Sequence, residues 1–414
     1  MSPTSRRRLR VLYVAGPGDV VGTFRCWRRG EDDPSQVAIT YSAQFFDVCR
    51  DMGAEALVIS SHPRRDAVRD GPFTVENRPH GLRDARGLLF HLSRVLYGVG
   101  LVLSAVRFRA DVVVGGQHGS HLFVFFLLRL FRIRFAPSLH CVLWPQFAAV
   151  KRSQRLLNRL DAFLFRRGCE AVLCVSKDIE AQVAQLAGGR CPPRVSFVPT
   201  YCADTFRDIP APARDGPFRV LYAGRIEADK GVFGLLEIYR QLAAAGCEVE
   251  FDLCGDGSSL TELRTRARGL GVEGGFRCHG HLNRARMREM FAASGVVIVP
   301  TTSQFVEGFN KVVVESILAK RPVITSDVCP ALSYVKEAVY VANVDDWASY
   351  RVRIEQAACR DDGYWRRVAA CGQVSGAFVT AEWSFASTLR HVFGAVEKRV
   401  AVEERRLSMQ SLDR

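Results

Sequence analysis

Several signatures that define other classes of protein are missing from this sequence of 414 residues. Its thirteen cysteines include no CxxC pair, and no group of cysteines and histidines has the spacing of zinc ligands. The odd number of cysteines argues against a disulfide framework, so we expect reduced, mostly buried thiols in a cytoplasmic protein. The first apolar run is short and ends at Gly16-Pro-Gly18, which predicts a strand and not a signal peptide.

A clean membrane-spanning stretch is also missing from the sequence. The segment Leu88–Phe108 is apolar, but it carries His91, Arg94 and Arg107. The segment His121–Phe131 has about half of the ~20 residues that a spanning helix needs. We therefore expect no transmembrane helix.

Lysine is scarce, since only seven of the 57 basic residues are lysine. Residues 1–205 contain 29 basic and 17 acidic residues, a net charge of +12, whereas residues 206–414 have a net charge of +2. Such an uneven distribution is typical of a domain that binds nucleic acid, an anionic membrane or a phosphorylated substrate. Basic motifs interleaved with aromatic residues are missing, so we expect no nucleic-acid partner.

Strand-like apolar runs alternate with amphipathic helical runs along most of the chain, which is typical of parallel, doubly wound sheets. The segment 208–217 is rich in proline and alanine without periodicity, which predicts a linker. We therefore predict an α/β protein with two doubly wound Rossmann-like domains that face each other across a cleft. The expected boundaries are an N-terminal acceptor domain (1–207), a C-terminal donor domain (218–385) and a C-terminal helical segment (386–414) that packs back toward the first domain.

Two local predictions concern the first domain. Asp33 as N-cap, Pro34 at the first helical position and Gly53 just past the end predict a helix between them. The preceding stretch Gly16–Asp32 is predicted to be a long loop that contacts the acceptor or the donor. Its basic and aromatic side chains are Arg25, Trp27, Arg28 and Arg29.

Two glutamates, Glu307 and Glu315, follow the apolar run Val296–Val299 and bracket the expected start of a helix. Eight residues at ~1.5 Å rise place their carboxylates on the order of 12 Å apart. The free N–H groups of a helix start attract phosphate, and Gly308 would leave room for a ligand to approach the backbone. A nucleotide diphosphate-sugar fits this spacing; the alternative is a solvated loop with two surface glutamates.

Two further loops follow strands of the same predicted domain. One carries Arg225 and Lys230 to the rim that holds Glu307, which suits a diphosphate. The other contains Gly255 and Gly257, which permit close approach of a backbone. Because the carboxyl ends of parallel strands meet at one edge of a sheet, we expect these loops to form a single ligand site.

Together these motifs resemble the GT-B fold of retaining glycosyltransferases of family 4. The segment Gly224–Gly231 is similar to the family's G-R-x(4)-K-G motif, Gly255-Asp-Gly257 to its GxG turn, and Glu307–Glu315 to its E-x7-E signature. The strand Ala171–Ser176 is similar to a first-domain strand that ends on serine. The resemblance covers the second domain almost throughout and the first domain in outline.

Two segments depart from the family pattern. Asn310-Lys311 replaces the commoner pair of glycine and a hydrophobic residue, which leaves the sugar specificity open. Pro199–Asp204 differs from the usual Pro-Asn-Gly-Val-Asp, which leaves the contacts of that loop with the cleft open.

The resemblance implies roles for individual residues. Arg225 and Lys230 would neutralise the donor diphosphate, Glu315 would hold the ribose hydroxyls and Glu307 would bind sugar hydroxyls. His140 corresponds to a histidine that faces the reaction centre, although an ordinary interior histidine is the alternative. The implied catalytic residues are Glu307, His140, Lys230 and Arg225, and the implied donor-binding residues are Gly16, Gly18, Gly224, Arg225, Lys230, Gly255, Gly257, Gly308, Phe309, Asn310, Lys311 and Glu315. Because both cations are expected in a solvated cleft, alanine at either position should change folding little.

The implied function is a retaining transfer of a hexose-type sugar from a nucleotide diphosphate-sugar to a saccharide acceptor, expected to be lipid-linked, in bacterial cell-surface or exopolysaccharide synthesis. We expect no cofactor and no metal, because the cations take the place of a metal and no DxD pair is positioned to bind one. A nucleotide-sugar epimerase of the same architecture and a non-catalytic nucleotide-sugar-binding protein are the alternatives.

The segment Lys151–Arg167 predicts a basic helix with Leu156, Leu160, Phe163 and Leu164 at helical spacing. Such a helix can lie in the interface of an anionic membrane. It predicts a peripheral protein on the inner face of the cytoplasmic membrane. The alternative is that the same apolar stripe packs against the first-domain sheet.

Overall fold

The computed structural model describes residues 7–81, 86–117 and 119–412, with residues 404–412 described by their backbone alone. The first eight strands are β1 (Arg10–Val14), β2 (Glu55–Ser60), β3 (Asp66–Asp70), β4 (Phe73–Asn77), β5 (Val112–Gly115), β6 (Arg134–Leu139), β7 (Val172–Cys174) and β8 (Arg194–Ser196). The helices among them are α1 (Val20–Arg28), α2 (Tyr41–Met52), α3 (Gly87–Phe108), α4 (Arg152–Arg167) and α5 (Lys177–Ala187), with a 3₁₀ segment at Leu122–Phe131.

The second half of the chain repeats this alternation. Its strands are β9 (Phe218–Ala223), β10 (Val249–Cys254), β11 (Phe276–Gly280), β12 (Val296–Val299), β13 (Val323–Thr325) and β14 (Val339–Val341). Its helices are α6 (Val232–Ala244), α7 (Leu260–Gly269), α8 (Arg284–Ala293), α9 (Lys311–Leu318), α10 (Leu332–Val335), α11 (Trp347–Ala358), α12 (Asp362–Val374) and α13 (Phe385–Leu412).

Each half builds one sheet, and each sheet reverses its strand order at one point. The first has the order β3-β4-β2-β1-β5-β6-β7-β8 and the second has the order β11-β10-β9-β12-β13-β14. All neighbouring strands in these sheets are parallel except β3 and β4. The order reverses at β1 and at β9, and ligands of doubly wound folds bind at the carboxyl ends of the strands beside such a reversal. The predicted α/β class with two Rossmann-like domains is confirmed.

The strands form because their sequences suit sheets that are covered on both faces. β5 and β12 are continuous runs of apolar residues and are buried along their whole length. Such runs are typical of parallel strands with helices packed on either side. The carboxyl ends of β9, β10, β11 and β12 therefore stand together at one edge, where the intervening loops are free to carry chemistry.

Two local predictions for the first domain are wrong. The stretch 16–32 contains helix α1, because Asp19 caps its first turn through Gly22 N and its buried side chains Val20, Val21 and Phe24 pack inward. Arg25 and Arg28 of this helix pair with Asp66 and Asp70 of β3, so they hold the edge of the sheet.

The next helix begins at Tyr41 and not after Asp33. Its N-cap is Thr40, whose hydroxyl accepts a hydrogen bond from Ala43 N at 3.0 Å. Asp33 instead accepts from Ser35 N and from the hydroxyl of Thr23, so it closes a turn. The predicted end is right, since Gly53 is the C-cap with φ of 64°.

The chain crosses between the halves near residues 205–217, and its last helix returns to the first half. Arg390 and Arg399 of α13 pair with Asp51 and Glu170. Apolar residues of α13 join the first-domain core, among them Phe393. The exact domain boundaries stay predictions.

Among the residues that the structure describes, helix α3 alone is long and apolar enough to cross a membrane when judged by length and composition. Its mean hydropathy is 1.6, and 28% of the tested stretch is buried. By these two criteria α3 is still a candidate for a spanning helix, although it carries His91, Arg94 and Arg107.

Candidate active site

A cavity of about 850 Å³ lies between the two halves of the chain. The first half contributes only the loop Pro34–Val37, and the second half contributes the loops after β9, β10, β11 and β12 with the start of α9. Eight of the residues predicted to bind the donor or catalyse the reaction line it: Gly224, Arg225, Lys230, Gly255, Glu307, Asn310, Lys311 and Glu315. The cavity therefore sits at the point where the second sheet reverses its strand order.

The wall of the cavity contains an ion pair between Lys230 and Glu307. Lys230 Nζ lies 2.7 Å from Glu307 Oε2, and the two side chains are only 11% and 10% exposed. Asn310 Nδ2 and the backbone N–H of Gly308 also donate to the Glu307 carboxylate. An ion pair with so little exposure is held rigidly, and removal of one partner leaves a buried charge.

The ring of Phe305 lies beside both predicted cations. Lys230 Nζ lies 3.5 Å from the centroid of its ring, and the Arg225 guanidinium lies 5.6 Å from it. Unlike Lys230, Arg225 is exposed, so its N–H groups face the cavity without a carboxylate partner among the described residues. The rim thus presents one fixed and one solvated positive charge.

The glycines of the two loops pack backbone against backbone. Gly255 has φ of 148°, and a Cβ there would lie 1.7 Å from the carbonyl oxygen of Gly224. A Cβ on Gly257 would lie 2.4 Å from the carbonyl oxygen of Ile226. Any larger residue at these positions would push the loop that carries Arg225 away from the sheet edge.

The start of α9 is unusual in its backbone. Asn310 is the N-cap with φ of 69°, a conformation that asparagine tolerates better than most residues. Lys311 Nζ donates to Gln36 Oε1 of the first half at 3.2 Å, and burial lowers the pKa of its ammonium. The start of this helix therefore lies in the wall of the same cavity as Arg225 and Lys230.

Glu315 lies one helical turn further into the same wall. The hydroxyl of Tyr201 donates to its Oε1 at 3.3 Å, and burial raises the pKa of its carboxyl to about 7. Tyr201 comes from the segment Pro199–Asp204 that departs from the family pattern. A bound hydroxyl group would give this carboxylate a second hydrogen-bond donor beside Tyr201.

Replacement of Glu315 by glutamine is expected to stabilise the protein in a pH-dependent way. The folded-state pKa of about 7 lies above the ordinary value of 4.5, so native Glu315 favours its protonated form. Below about pH 4.5 both states are protonated and the substitution should change the free energy of unfolding little. Between pH 4.5 and 7 the unfolded wild type ionises while folded Glu315 stays protonated, so the advantage of the variant should grow with pH and level off above pH 7 at roughly 3 kcal/mol.

Thermal unfolding of the wild type and of Glu315→Gln from about pH 5 to about pH 8 measures this difference. Glu289→Gln on the exposed face of α8 is the control and should show no such trend. A difference that is the same at every pH would contradict the raised pKa.

His140 is placed apart from the cavity. Its ring packs among Tyr41, Phe197 and Phe385, with centroid distances of 4.6, 5.6 and 6.1 Å, and its Nε2 lies 2.9 Å from the hydroxyl of Ser138. Its backbone approaches Gly308 of the second half closely. The structure therefore gives His140 a role in packing between the halves, and its catalytic role stays a prediction.

The other predicted donor residues lie outside the cavity lining. They are Gly16, Gly18, Gly257, Gly308 and Phe309. Phe309 is buried against Tyr334 and Phe378, and the space in front of Gly308 is filled by first-half backbone. Among the residues that the structure describes, no group of three or more histidine, cysteine or acidic side chains is arranged to hold a metal ion.

Several lining residues are not among the predicted site residues. They are Pro34–Val37, for which the sequence predicts a helix, together with Phe305 and Arg284. Arg284 donates to Asp32 of the first half at 2.8 Å, which links the two sides of the cavity. Only Phe305 carried a usable signal, because an aromatic residue two positions before Glu307 is well placed to contact nearby cations.

Part of the chain is similar in sequence to known proteins. Residues 205–361 match the family model described as glycosyl transferases group 1. Alpha-D-kanosaminyltransferase of Streptomyces kanamyceticus is 26% identical over 145 residues, which are 33% of this chain and 37% of that protein. Lipopolysaccharide 1,2-N-acetylglucosaminetransferase of Salmonella typhimurium is 30% identical over 148 residues, which are 32% of this chain and 38% of that protein. The chain thus spans little more than a third of the length of these two relatives.

The similarity to solved structures extends over the whole chain. The structure of Anabaena HepE in complex with UDP has a TM-score of 0.62 at 17% identity, covering 96% of this chain and 100% of the other. Identity at this level shows the fold alone, and the family model matches residues 205–361 only. Residues 205–361 are therefore similar to glycosyl transferases group 1, within a two-domain fold of the GT-B type.

Proposed function

We propose that this protein is a retaining glycosyltransferase of family 4 type, which moves a hexose-type sugar from a nucleotide diphosphate-sugar to a saccharide acceptor. The observation that carries the proposal is the convergence of Lys230, Glu307 and Arg225 on one wall of the cavity between the two halves. These residues lie within the segment that matches the glycosyl transferases group 1 model.

The charges suit the electronic demand of the reaction. As the bond between the anomeric carbon and the diphosphate oxygen breaks, negative charge develops on the leaving diphosphate. Arg225 and Lys230, with the N–H groups at the start of α9, would stabilise that charge, an effect that often contributes a few kcal/mol for each donor. Glu307, once phosphate competes for Lys230, would accept hydrogen bonds from sugar hydroxyls.

The remaining contacts of the donor follow from the shape of the cavity. It extends from Glu307 to Glu315, and Glu315 would hold the ribose hydroxyls. A nucleoside diphosphate is the kind of ligand bound in the HepE structure, which supports the assignment of the cavity to such a donor. The two curated relatives transfer sugars, as their names state, so we favour transfer over epimerisation.

The acceptor would approach from the first domain. We propose a lipid-linked saccharide in cell-surface or exopolysaccharide synthesis, reached by a cytoplasmic protein that contacts the membrane through Lys151–Arg167. The relative from Salmonella supports this class, since its name refers to lipopolysaccharide. The high positive charge of the first half suits the same partner.

The product is expected to keep the anomeric configuration of the donor, and turnover is expected to survive a chelator. The reason is that Arg225 and Lys230 supply the positive charge that a metal would otherwise bring to the diphosphate. A panel of nucleotide-sugars, screened by release of nucleoside diphosphate, would first identify the donor. NMR of the product with and without EDTA would then test both statements.

An inverted product, or complete loss of turnover in EDTA that a divalent ion restores, would contradict the proposed mechanism. Release of free epimerised sugar in the absence of any acceptor would identify the epimerase alternative. Donor binding without any release of diphosphate, with every acceptor tried, would leave a binding protein.

A further inference from the structure

Helix α4 does not pack its apolar stripe wholly against the first-domain sheet. Leu164 is fully buried, but Leu156, Leu160 and Phe163 are 60%, 41% and 43% exposed. Phe163 packs against Phe126 of the neighbouring 3₁₀ segment, with ring centroids 4.8 Å apart. The alternative that this stripe only serves the core is therefore wrong for three of its four residues.

The exposed leucines of α4 continue onto the two elements beside it. The 3₁₀ segment Leu122–Phe131 contacts both α4 and α3. We name the outward side chains of these three elements the apolar–basic face. Its large apolar members are Leu88, Leu89, Leu92, Leu96, Leu103, Leu127, Leu130, Phe131, Leu156, Leu160 and Phe163, which are eleven of the seventeen exposed large hydrophobic residues described. Such concentration of apolar surface marks an interaction site and not ordinary surface scatter.

Helix α3 packs against the first-domain core through the side opposite to its exposed leucines. Leu101, Val102 and Ala105 are buried in the first-domain core, and the hydroxyl of Tyr97 donates to the carbonyl oxygen of Arg78 at 3.0 Å. The outward positions Leu88, Leu92, Leu96 and Leu103 keep helical spacing. A helix that is anchored on one side and apolar on the other suits the plane of an interface better than a path through a bilayer.

The charges on this face are of one sign. Asp161 is the only acidic residue in α3, the 3₁₀ segment and α4, all of whose residues are described. It is buried, it accepts a hydrogen bond from Phe123 N at 3.0 Å, and burial raises its pKa to about 7. The basic residues of the three elements are Arg94, Arg107, Arg129, Arg152, Arg155, Arg159, Arg166 and Arg167. None of these three elements therefore presents an exposed carboxylate that would oppose an anionic partner.

A second cavity, of about 440 Å³, opens between α4 and α5 beside this face. Arg155, Arg159 and Arg166 line it together with Trp144. Arg166 is fixed by donating to the carbonyl oxygens of Leu186 and Ala187. Arg155 and Arg159 are exposed and have no ion-pair partner among the described residues, so their guanidinium groups are free to bind phosphate.

We propose that the apolar–basic face docks the protein flat on a bilayer that contains anionic phospholipids. The leucines of α3 and of the 3₁₀ segment enter among the acyl chains, and the arginines of α4 bind headgroup phosphates, one of them at the mouth of the second cavity. The inference widens the membrane contact proposed for Lys151–Arg167 to three elements. It does not require the transfer reaction, so its failure and the failure of the proposed function are distinguishable.

Sedimentation of the full-length protein with vesicles tests the proposal. The wild type is expected to sediment with phosphatidylcholine vesicles that contain phosphatidylglycerol, and to stay in the supernatant with phosphatidylcholine alone. High salt should release it, because screening shortens the field of the headgroups to about 3 Å at 1 M. Alkaline carbonate should extract it as well, whereas retention in carbonate would show that α3 spans the bilayer and would overturn the flat docking.

Two variants separate the apolar and the basic parts. Leu88→Ser, Leu92→Ser and Leu96→Ser together should weaken binding at least tenfold, because each removes apolar side-chain surface from the acyl region. Arg155→Gln with Arg159→Gln should weaken it about 25-fold, since each cation near an anionic surface contributes about fivefold. The matched control is Leu270→Ser with Arg268→Gln, an exposed pair at the end of α7 in the other half, which should bind as the wild type does.

The proposal would be overturned if the wild type did not sediment with anionic vesicles. It would also be overturned if the variant with serine at Leu88, Leu92 and Leu96 bound as well as the wild type. Because a variant can fail to fold, the wild type provides an independent measurement. A photoactivatable phosphatidylglycerol should attach to peptides from α3, the 3₁₀ segment and α4, as identified by mass spectrometry. Attachment mainly to other parts of the chain would contradict the assigned face.

Discussion

Replacement of Lys230 by alanine is expected to reduce turnover by about 10²-fold or more, by analogy with the loss of one transition-state donor. It is also expected to lower stability, because the substitution leaves Glu307 with a charge in a site that is only 10% exposed. Breaking a buried ion pair costs up to about 3 to 5 kcal/mol, and the cavity beside this pair will reduce that cost. The expectation from the sequence, that folding would change little, therefore does not hold for this residue.

The variant Arg225→Ala separates the loss of turnover from the loss of stability. Arg225 is exposed and has no carboxylate partner among the described residues, so its removal should cost about as much turnover with an unchanged unfolding midpoint. The double variant Lys230→Ala, Glu307→Ala should regain much of the stability and none of the activity. Steady-state kinetics and thermal unfolding of the three variants provide the measurements.

Arg266→Ala is the control for the loss of a surface arginine. Arg266 pairs with Glu262 on the exposed side of α7, and its removal should alter neither quantity. Turnover like that of the wild type in both Arg225→Ala and Lys230→Ala would remove these residues from the donor site.

The sheets could be predicted from the sequence because buried parallel strands consist of continuous apolar residues. β12, with four consecutive buried residues, is recognisable without any tertiary information. The hairpin of β3 and β4 was missed because it sits at the sheet edge and is half exposed. Only alternate residues of β4, including Phe73 and Val75, face the core. The preceding strand β3 carries the charged residues Asp66, Arg69 and Asp70, which suggest a loop.

The meeting of Lys230 with Glu307 was also predictable, although 77 residues separate them. Each follows a strand of the same parallel sheet, and topology brings such loops to one edge. The neighbours of His140 were not predictable in this way. Whether a histidine after β6 faces a ligand or other rings depends on how α2 and the start of α13 pack, and no local pattern encodes that.

The surroundings of Gly308 were not predictable from the sequence either, and its replacement is the second substitution with a large expected effect on activity. From the sequence, a glycine at this position suggests room for a ligand. In the structure a Cβ there would lie 1.8 Å from the carbonyl oxygen of His140, across the boundary between the two halves. Val142 N also donates to the carbonyl oxygen of Glu307 at 3.2 Å, so these two loops are in direct backbone contact.

Gly308→Ala is therefore expected to move the Glu307 loop by about 1 Å or more and to reduce kcat/KM at least 10²-fold, since a displacement of that size is enough to cost two orders of magnitude. Overall folding should persist, because the added methyl group disturbs one local backbone contact between the halves. Gly372→Ala in helix α12 is the matched control. No atom lies within 4 Å of its added methyl group, so it should be neutral or stabilise the protein slightly.

Steady-state kinetics measure the loss, and circular dichroism with thermal unfolding verifies that the variant is folded. Small-angle scattering should also show a more open arrangement of the two halves in Gly308→Ala than in Gly372→Ala. If Gly308→Ala keeps the activity and the compactness of the wild type, the close contact with His140 is not a constraint on the site. The glycine would then be explained by the approach of a ligand, as the sequence alone suggests.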